Sequence, residues 1–144
     1  MYAENKLLGF TIIDRARDLI DPDRPHLDNC MHVHLMESQE NNKYKGIGTA
    51  LHQIAVEASF REDCDGVYLS AQKGSHLFHY KCGFRAERDE INRLLEQLNI
   101  TSQTNHDLPS TRDLGDVLMI LTKEHAQQIW HQKITASPIL STNN

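Results

Sequence analysis

The chain has 144 residues, of which 39% are hydrophobic and 24% are charged, and this composition is ordinary for one soluble globular domain with a core. Its net charge of −5 argues against a nucleic-acid-binding surface. The sequence contains no apolar run of transmembrane length and no signal peptide, and its three cysteines lack a CxxC spacing. We therefore expect a cytoplasmic protein with reduced thiols and without membrane or nucleic-acid partners.

The hydrophobic pattern predicts strands and helices that alternate along most of the chain. Residues 6–14 and Cys30–Ser38 are rich in apolar and β-branched residues and predict two strands that pair as a hairpin, with a loop over residues 15–29. In the second strand, alternation places Val33 and Leu35 on one face and His32, His34 and Met36 on the other. Further strands are predicted at Gly66–Ala71, 84–87 and 116–122, and further helices at 73–82, 90–98 and 123–133. Residues 99–114 are polar and predict a loop, and residues 134–144 a flexible tail.

Residues 41–61 predict a glycine-containing turn that leads into a helix. The apolar stripe of this helix has helical spacing and comprises Ile47, Ala50, Leu51, Ile54, Ala55 and Ala58. Unpaired N–H groups at a helix start, together with the helix dipole, favour a bound anion. Gly46 and Gly48 carry no side chain that would keep a phosphate away from this backbone. The stretch lacks the residues of a Walker loop, and Leu51 stands where a dinucleotide fingerprint needs its third glycine.

Two motifs in this part of the chain resemble those of the GNAT-type N-acetyltransferases. Lys43-x-x-Gly46-x-Gly48 resembles the family's pyrophosphate loop, (Gln/Arg)-x-x-Gly-x-(Gly/Ala). Farther along, FHYKCGF, which runs from Phe78 to Phe84, looks like the family's FYxKxGF segment. The resemblance covers roughly residues 31–87 and implies an α/β fold with a mixed, largely antiparallel sheet flanked by helices. It also implies transfer of an acetyl group from acetyl-CoA to a primary amine.

The chain departs from the family pattern in two places. The family usually has a strand and two helices before the matched region, and here only about thirty residues precede the strand that would bind the cofactor. Residues 88–114 form a long segment between the last two strands, which is either a replacement wall for the acceptor groove or a simple insertion. We expect one acyltransferase-like domain over residues 1–133 and, with the amino-terminal cover shortened, a possible homodimer.

The resemblance assigns cofactor-binding roles by position. The backbone of residues 44–49 would bind the diphosphate of CoA, with charge from the neighbouring lysines and a hydroxyl from the helix start. Residues of the strand before it and of the second helix would contact the rest of the cofactor. The predicted cofactor-binding residues are Met36, Ser38, Lys43, Tyr44, Lys45, Gly46, Ile47, Gly48, Thr49, Gln72 and Ser75.

The resemblance leaves the catalytic acid and base open between pairs of residues. The family's tyrosine aligns with His79, and Tyr80 stands one place later; we favour Tyr80, because a phenol stays protonated at every relevant pH. Glu37, at the end of the predicted cofactor-binding strand, is the leading base, and His34 is the second candidate. Adjacent helical residues point about 100° apart, since a turn takes ~3.6 residues, so only one of His79 and Tyr80 can face the sulfur.

Two other interpretations of the sequence remain. Pairs of histidines at 32 and 34 and at 76 and 79 have spacings that zinc sites use, but no cysteine or carboxylate stands near enough in sequence to complete a set of ligands, so we predict no metal. The second is a non-catalytic CoA-binding or interaction module of the same fold. The acceptor, a small-molecule or peptide amine, is not specified by the sequence.

Overall fold

In a computed structural model, residues 2–3, 6–15, 27, 29–38, 46–72, 74–104 and 110–136 are described, the last six by their backbone alone. The strands are β1 (Tyr2–Ala3), β2 (Lys6–Leu7), β3 (Gly9–Arg15), β4 (Cys30–Ser38), β5 (Gly66–Ala71), β6 (Arg85–Ala86) and β7 (Val117–Thr122). The helices are α1 (Ile47–Arg61), α2 (His76–Lys81), α3 (Asp89–Ser102) and α4 (Lys123–Ala136), with a 3₁₀ turn at Arg112–Leu114.

The main sheet has five strands in the order β3-β4-β5-β7-β6, and β1 pairs with β2 separately. Strands β4 and β5 run parallel, and the other neighbouring pairs of the described sheet run antiparallel. The predicted fold class, a mixed and largely antiparallel sheet flanked by helices, is confirmed. The predicted hairpin between the first two strands of this sheet is also confirmed, since β3 and β4 pair antiparallel.

The two faces of the sheet are packed differently. On one face, Val67 and Leu69 of β5 join the main core, which includes Val56 of α1, Leu95 of α3 and Trp130 of α4. Trp130 is fully buried, and its Nε1 donates a hydrogen bond to the carbonyl oxygen of Cys82 at 2.8 Å. On the other face, a smaller cluster contains Leu27, Cys30 and Tyr68. Side chains alternate along β5 between these two faces, so Tyr68 points away from α1 and α4.

A β-bulge in β4 changes which of its side chains face the core. Ile12 pairs with Leu35 and Ile13 with Val33, so His34 is the extra residue of the bulge. Beyond it, Leu35 is 41% exposed and Met36 packs against the core. The prediction that Leu35 shares the buried face of Val33 is therefore wrong, because the inserted residue reverses the alternation of the strand.

Helix α1 begins and ends close to the predicted positions, but it buries a rotated face. Val56 and His52 are fully buried, whereas Ile54 of the predicted stripe is 42% exposed. Polar His52 and Ser59 occupy the core-facing side of the helix. The side predicted from the apolar residues alone is therefore rotated by about one residue from the side that is buried.

The long segment between the last two strands is part of the core rather than a loop throughout. Helix α3 continues through Ser102, so the prediction of a loop from residue 99 is wrong. The reason is that Leu95 and Leu98 of α3 are buried in the main core, and packing carries the helix past the end of the apolar pattern. Helix α4 likewise runs to Ala136, three residues beyond its predicted end. Most of the predicted loop at 15–29, and the tail from residue 137, lie outside the described residues.

Candidate active site

An open cleft lies where β4 and β5 separate. Their parallel pairing begins at Cys30 with Gly66 and ends at Val33 with Leu69, although β4 continues to Ser38 and β5 to Ala71. The cleft has a volume of about 570 Å³. It is lined by the ends of both strands, the first turn of α1 and one side of α2: His32, Val33, His34, Leu35, Met36, Glu37, Ser38, Gly48, Leu69, Ser70, Gln72, Ser75, Phe78 and His79.

The first turn of α1 meets this cleft with the geometry of an anion site. Gly46 precedes the helix with a φ of +78°, in the left-handed region that glycine adopts without strain, and a Cβ added there would meet nothing within 4 Å. The amide of Ala50 donates to the carbonyl oxygen of Gly46 at 2.9 Å, which places Gly46 at the start of the helix. The first turn carries no acidic side chain that would repel an anion.

The structure brings five of the eleven predicted cofactor-binding residues together in the lining of the cleft, whereas Gly46, Ile47 and Thr49 are described but are not among the lining residues. Met36, Ser38, Gly48, Gln72 and Ser75 all line the cleft. The hydroxyl of Ser75 donates to the carbonyl oxygen of Gln72 at 2.7 Å, which holds the turn before α2. The predicted contributions of Lys43, Tyr44 and Lys45 lie outside the described residues.

His79, at the position of the family's tyrosine, is paired with a histidine that the sequence did not single out. Its Nδ1 lies 2.9 Å from Nε2 of His52 on α1. Burial lowers the pKa of His52 to about 3 and that of His79 to about 4, with repulsion from a neighbouring histidine adding to each effect. Both rings are therefore neutral near pH 7, and His79 is one of the residues that line the cleft.

The burial of His52 indicates which ring carries the shared proton. Nδ1 of His52 is buried and has no hydrogen-bond partner among the described residues. If His79 donated to His52, then this Nδ1 would carry an orphaned buried N–H, which is rare in native proteins. If His52 donates from Nε2, then Nδ1 holds only an unshared lone pair. The second arrangement is favoured, and it leaves His79 with its proton on Nε2.

Tyr80, the favoured acid, points elsewhere. It is not among the residues that line the cleft, and its hydroxyl donates to Glu96 of α3 at 2.5 Å. The guanidinium of Arg85 lies 3.8 Å from the centre of its ring. Burial and the hydrogen bond to Glu96 raise the pKa of the Tyr80 phenol above its ordinary value, which makes it a weaker acid. The catalytic role of Tyr80 stays a prediction, but the geometry favours His79.

Both predicted bases lie in the wall of the cleft. Glu37 is exposed near the end of β4. His34 is hydrogen-bonded to Asp14 of β3, with 2.7 Å between Nε2 and Oδ1. Asp14 was not anticipated, because its partner is 20 residues away in sequence and only the hairpin register brings them together.

His76, in contrast, has a structural role. It is fully buried, and its Nε2 lies 2.7 Å from the carbonyl oxygen of Gly115 while its Nδ1 lies 3.1 Å from the hydroxyl of Thr111. Both ring nitrogens are thus used within the protein, so the pair at 76 and 79 is not a metal site.

The protein is thus an α/β protein with a cleft between two parallel strands that separate, and the glycine-bearing start of α1 lies at this cleft. Residues 1–84 match the sequence model of the acetyltransferase (GNAT) family. Because this match covers more than half of the chain, the protein belongs to that family. No curated protein matches it. None of the described helices is long and apolar enough to cross a membrane.

A solved structure supports the fold. The chain resembles a Bacillus subtilis acetyltransferase in complex with CoA, with a TM-score of 0.52 and 18% sequence identity, over 84% of this chain and 72% of the other. A Staphylococcus aureus protein assigned as an acetyltransferase is less similar, with a TM-score of 0.44 and 19% identity, over 59% of this chain and 61% of the other.

Proposed function

We propose that the protein is an N-acetyltransferase that moves the acetyl group of acetyl-CoA, the donor that the GNAT family uses, to a primary amine by direct attack. The observation that carries this proposal is the single cleft that joins the start of α1 to the separated ends of β4 and β5. The diphosphate binds the first turn of α1 and the thioester lies along β4. The neighbour of known structure that was solved in complex with CoA supports the choice of ligand.

The reaction needs a neutral amine, a polarised carbonyl and a stabilised leaving group. The amine nitrogen forms a bond to the carbonyl carbon, the carbon–sulfur bond breaks, and the amine gives up a proton. A lysine-like amine has a pKa of ~10.4, so its neutral form costs about 4 kcal/mol near pH 7.5. Glu37 accepts this proton, directly or through water, with His34 as the second candidate, since both line the cleft. Backbone N–H groups of β4 beyond Val33, past the end of its pairing with β5, polarise the carbonyl oxygen.

His79 stabilises the departing thiolate as a neutral hydrogen-bond donor. With a pKa of about 4 it is not an imidazolium near pH 7, so it cannot serve as a strong acid. Its Nε2–H can still donate to the sulfur, and His52 holds the proton on that nitrogen by occupying Nδ1. Neutral imidazoles act in this way in other enzymes when their pKa is lowered.

A second candidate function is CoA binding without catalysis. The hydrogen bond that ties Tyr80 to Glu96 favours it, because the residue of the family's usual chemistry is then absent from the cleft. The two functions are separated by one experiment. Both predict that acetyl-CoA binds in a calorimetric titration, but only the transferase releases CoA when a panel of primary amines is added.

The site itself is tested by substitution of Gly48. Leucine at this position would occupy the space that the diphosphate needs, so Gly48→Leu should abolish acetyl-CoA binding. Gly48→Ala is the matched control, because the family motif admits alanine at this place and alanine favours the helix. Equal affinities of the wild type and Gly48→Leu, with the fold checked by circular dichroism, would remove the proposal.

A further inference from the structure

Three side chains of types that can ligate a metal ion meet on the face of the sheet opposite α1 and α4. His32 and His34 stand two residues apart on β4, and Asp14 of β3 is the cross-strand partner of His32. One possible ligand atom from each residue lies within 4.8 Å of the other two. The two imidazole rings have centroids 3.9 Å apart. We call this group the Asp14–His32–His34 cluster.

The hydrogen bond between Asp14 and His34 explains the position of only two of these residues. His32 is oriented separately, because its ring stacks on Tyr68 with centroids 4.4 Å apart and an interplanar angle of 3°. Nδ1 of His32 is buried and has no hydrogen-bond partner among the described residues. The ring is thus held in place by an aromatic neighbour while one of its nitrogens has no partner in the described part of the chain.

Two imidazoles and one carboxylate form a donor set that selects among cations. Mg²⁺ and Ca²⁺ prefer shells made of oxygen, whereas imidazole nitrogen suits zinc, copper, nickel and iron. Three protein ligands leave a position for water or another small ligand, as in open zinc sites. Asp14 and His34 are exposed, so an ion can reach the cluster from solvent.

We propose that Asp14, His32 and His34 bind a divalent transition-metal cation, for which zinc is the representative ion. The pairing of β3 with β4 brings the three residues together. The sequence alone did not reveal this, because Asp14 precedes His32 by 18 residues and lies next to it only in the folded hairpin. The β-bulge at His34 is the local feature that sets the direction of the third ligand.

An ion bound by the Asp14–His32–His34 cluster would lie beside the cleft. His32 and His34 both line it. An ion held there occupies the lone pair of His34 and neutralises the charge of Asp14 at the place where an amine would approach. Zinc should therefore inhibit acetyl transfer. This inhibition rests on the proposed function, whereas the binding of the metal does not depend on it.

The test is direct measurement of zinc binding to the full chain, by competition with a chromophoric zinc indicator and by calorimetry. One zinc ion should bind per chain, and His34→Ala and Asp14→Asn should each weaken that binding by about tenfold or more. His32→Phe, which keeps an aromatic ring on Tyr68, should do the same. His125→Ala is the control, because it removes a histidine of α4 on the other side of the sheet and should leave the affinity unchanged.

Cobalt and magnesium sharpen the result. Co²⁺ in place of zinc should give visible absorption bands that His34→Ala removes, and Mg²⁺ should not displace zinc. Failure of the wild type to bind zinc, or equal binding by the wild type and the three cluster variants, would overturn the proposal. Since His34 and Asp14 are exposed, their variants should retain the thermal midpoint of unfolding of the wild type. Loss of zinc binding in these variants is then due to loss of a ligand rather than to unfolding. None of these measurements depends on whether acetyl-CoA binds.

Discussion

Two pairs of histidines lie on opposite faces of the same sheet and differ in almost every property. His52 and His79 lie on the side of α1, are buried, and bond to each other. His32 and His34 lie on the other side, where the first stacks on Tyr68 and the second bonds to Asp14 in a partly exposed position. The difference shows that surroundings, rather than residue type, decide whether a histidine is held neutral by burial or stays open to solvent.

The largest expected effect concerns the buried pair. His79→Ala should lower kcat at saturating acetyl-CoA by about 100-fold or more, because loss of one well-placed donor to developing charge costs about 10²–10³ in rate. Tyr80→Phe is the matched control and should leave kcat close to that of the wild type, since the hydroxyl of Tyr80 is bonded to Glu96 outside the cleft. A large loss in Tyr80→Phe with none in His79→Ala would reverse the assignment.

The second effect is the dependence of stability on pH. Both buried histidines have a folded-state pKa well below the ordinary 6.5, so the unfolded chain binds more protons between pH 6.5 and about 4. Their neutral forms stabilise the fold fully above pH 6.5, and this stabilisation is lost as the pH falls through that window. Each histidine should contribute a slope of up to about 1.4 kcal/mol per pH unit to the free energy of unfolding.

Denaturant titrations over this pH range measure that slope. His52→Gln removes one of the two titrating groups and should flatten it. A slope as steep in His52→Gln as in the wild type would mean that other groups cause the acid sensitivity.

A smaller effect separates the positioning role of His52 from mere packing. His52→Leu cannot donate to Nδ1 of His79, so His79 loses its preference for the Nε2–H form, and kcat should fall by about tenfold, equivalent to about 1.4 kcal/mol. His52→Gln can donate from its amide and should retain most of the activity. The KM for acetyl-CoA should be similar in both, and NMR of the ring nitrogens should show His79 protonated at Nε2 in the wild type. Equal loss in the two variants would point to packing alone.

The smallest expected effect is on the exposed pair. His34→Ala should change the free energy of unfolding at pH 7.5 by no more than about 0.5–1 kcal/mol, because contacts between exposed polar side chains contribute little to stability. A loss of several kcal/mol, measured by denaturant titration, would make His34 a structural residue and remove the contrast between the two pairs.

The sequence predicted the local parts of the structure better than the contacts between them. β4 and β5 were predicted at their observed ends, and α1 close to them, because strong hydrophobic patterns and glycines mark their boundaries. Leu35 was misplaced because a bulge leaves no signature in an alternating pattern. The pairing of His52 with His79 was missed because the two residues are 27 positions apart. A polar residue on an apolar helix face does not indicate by itself which residue it contacts.

The candidate site shows the same division. Gly48 of the helix start and the residues at the end of β4 were found from segments that are continuous in sequence, and the structure places them around one cleft. The choice between His79 and Tyr80 depended on the rotation of α2 against α1 and α3. Tertiary packing sets that rotation, and adjacent positions in a motif do not reveal it.

The hydrogen bond from Trp130 to the carbonyl oxygen of Cys82 connects α4 to the end of α2. Cys82 follows α2 directly, so the indole of α4 fixes the end of the helix that carries His79. A truncation before Trp130 would therefore remove both a fully buried side chain of the main core and the hydrogen bond that holds the end of α2. Under the proposed function, the last helix supports the residue that acts on the leaving group, even though it lies beyond the residues that match the family model.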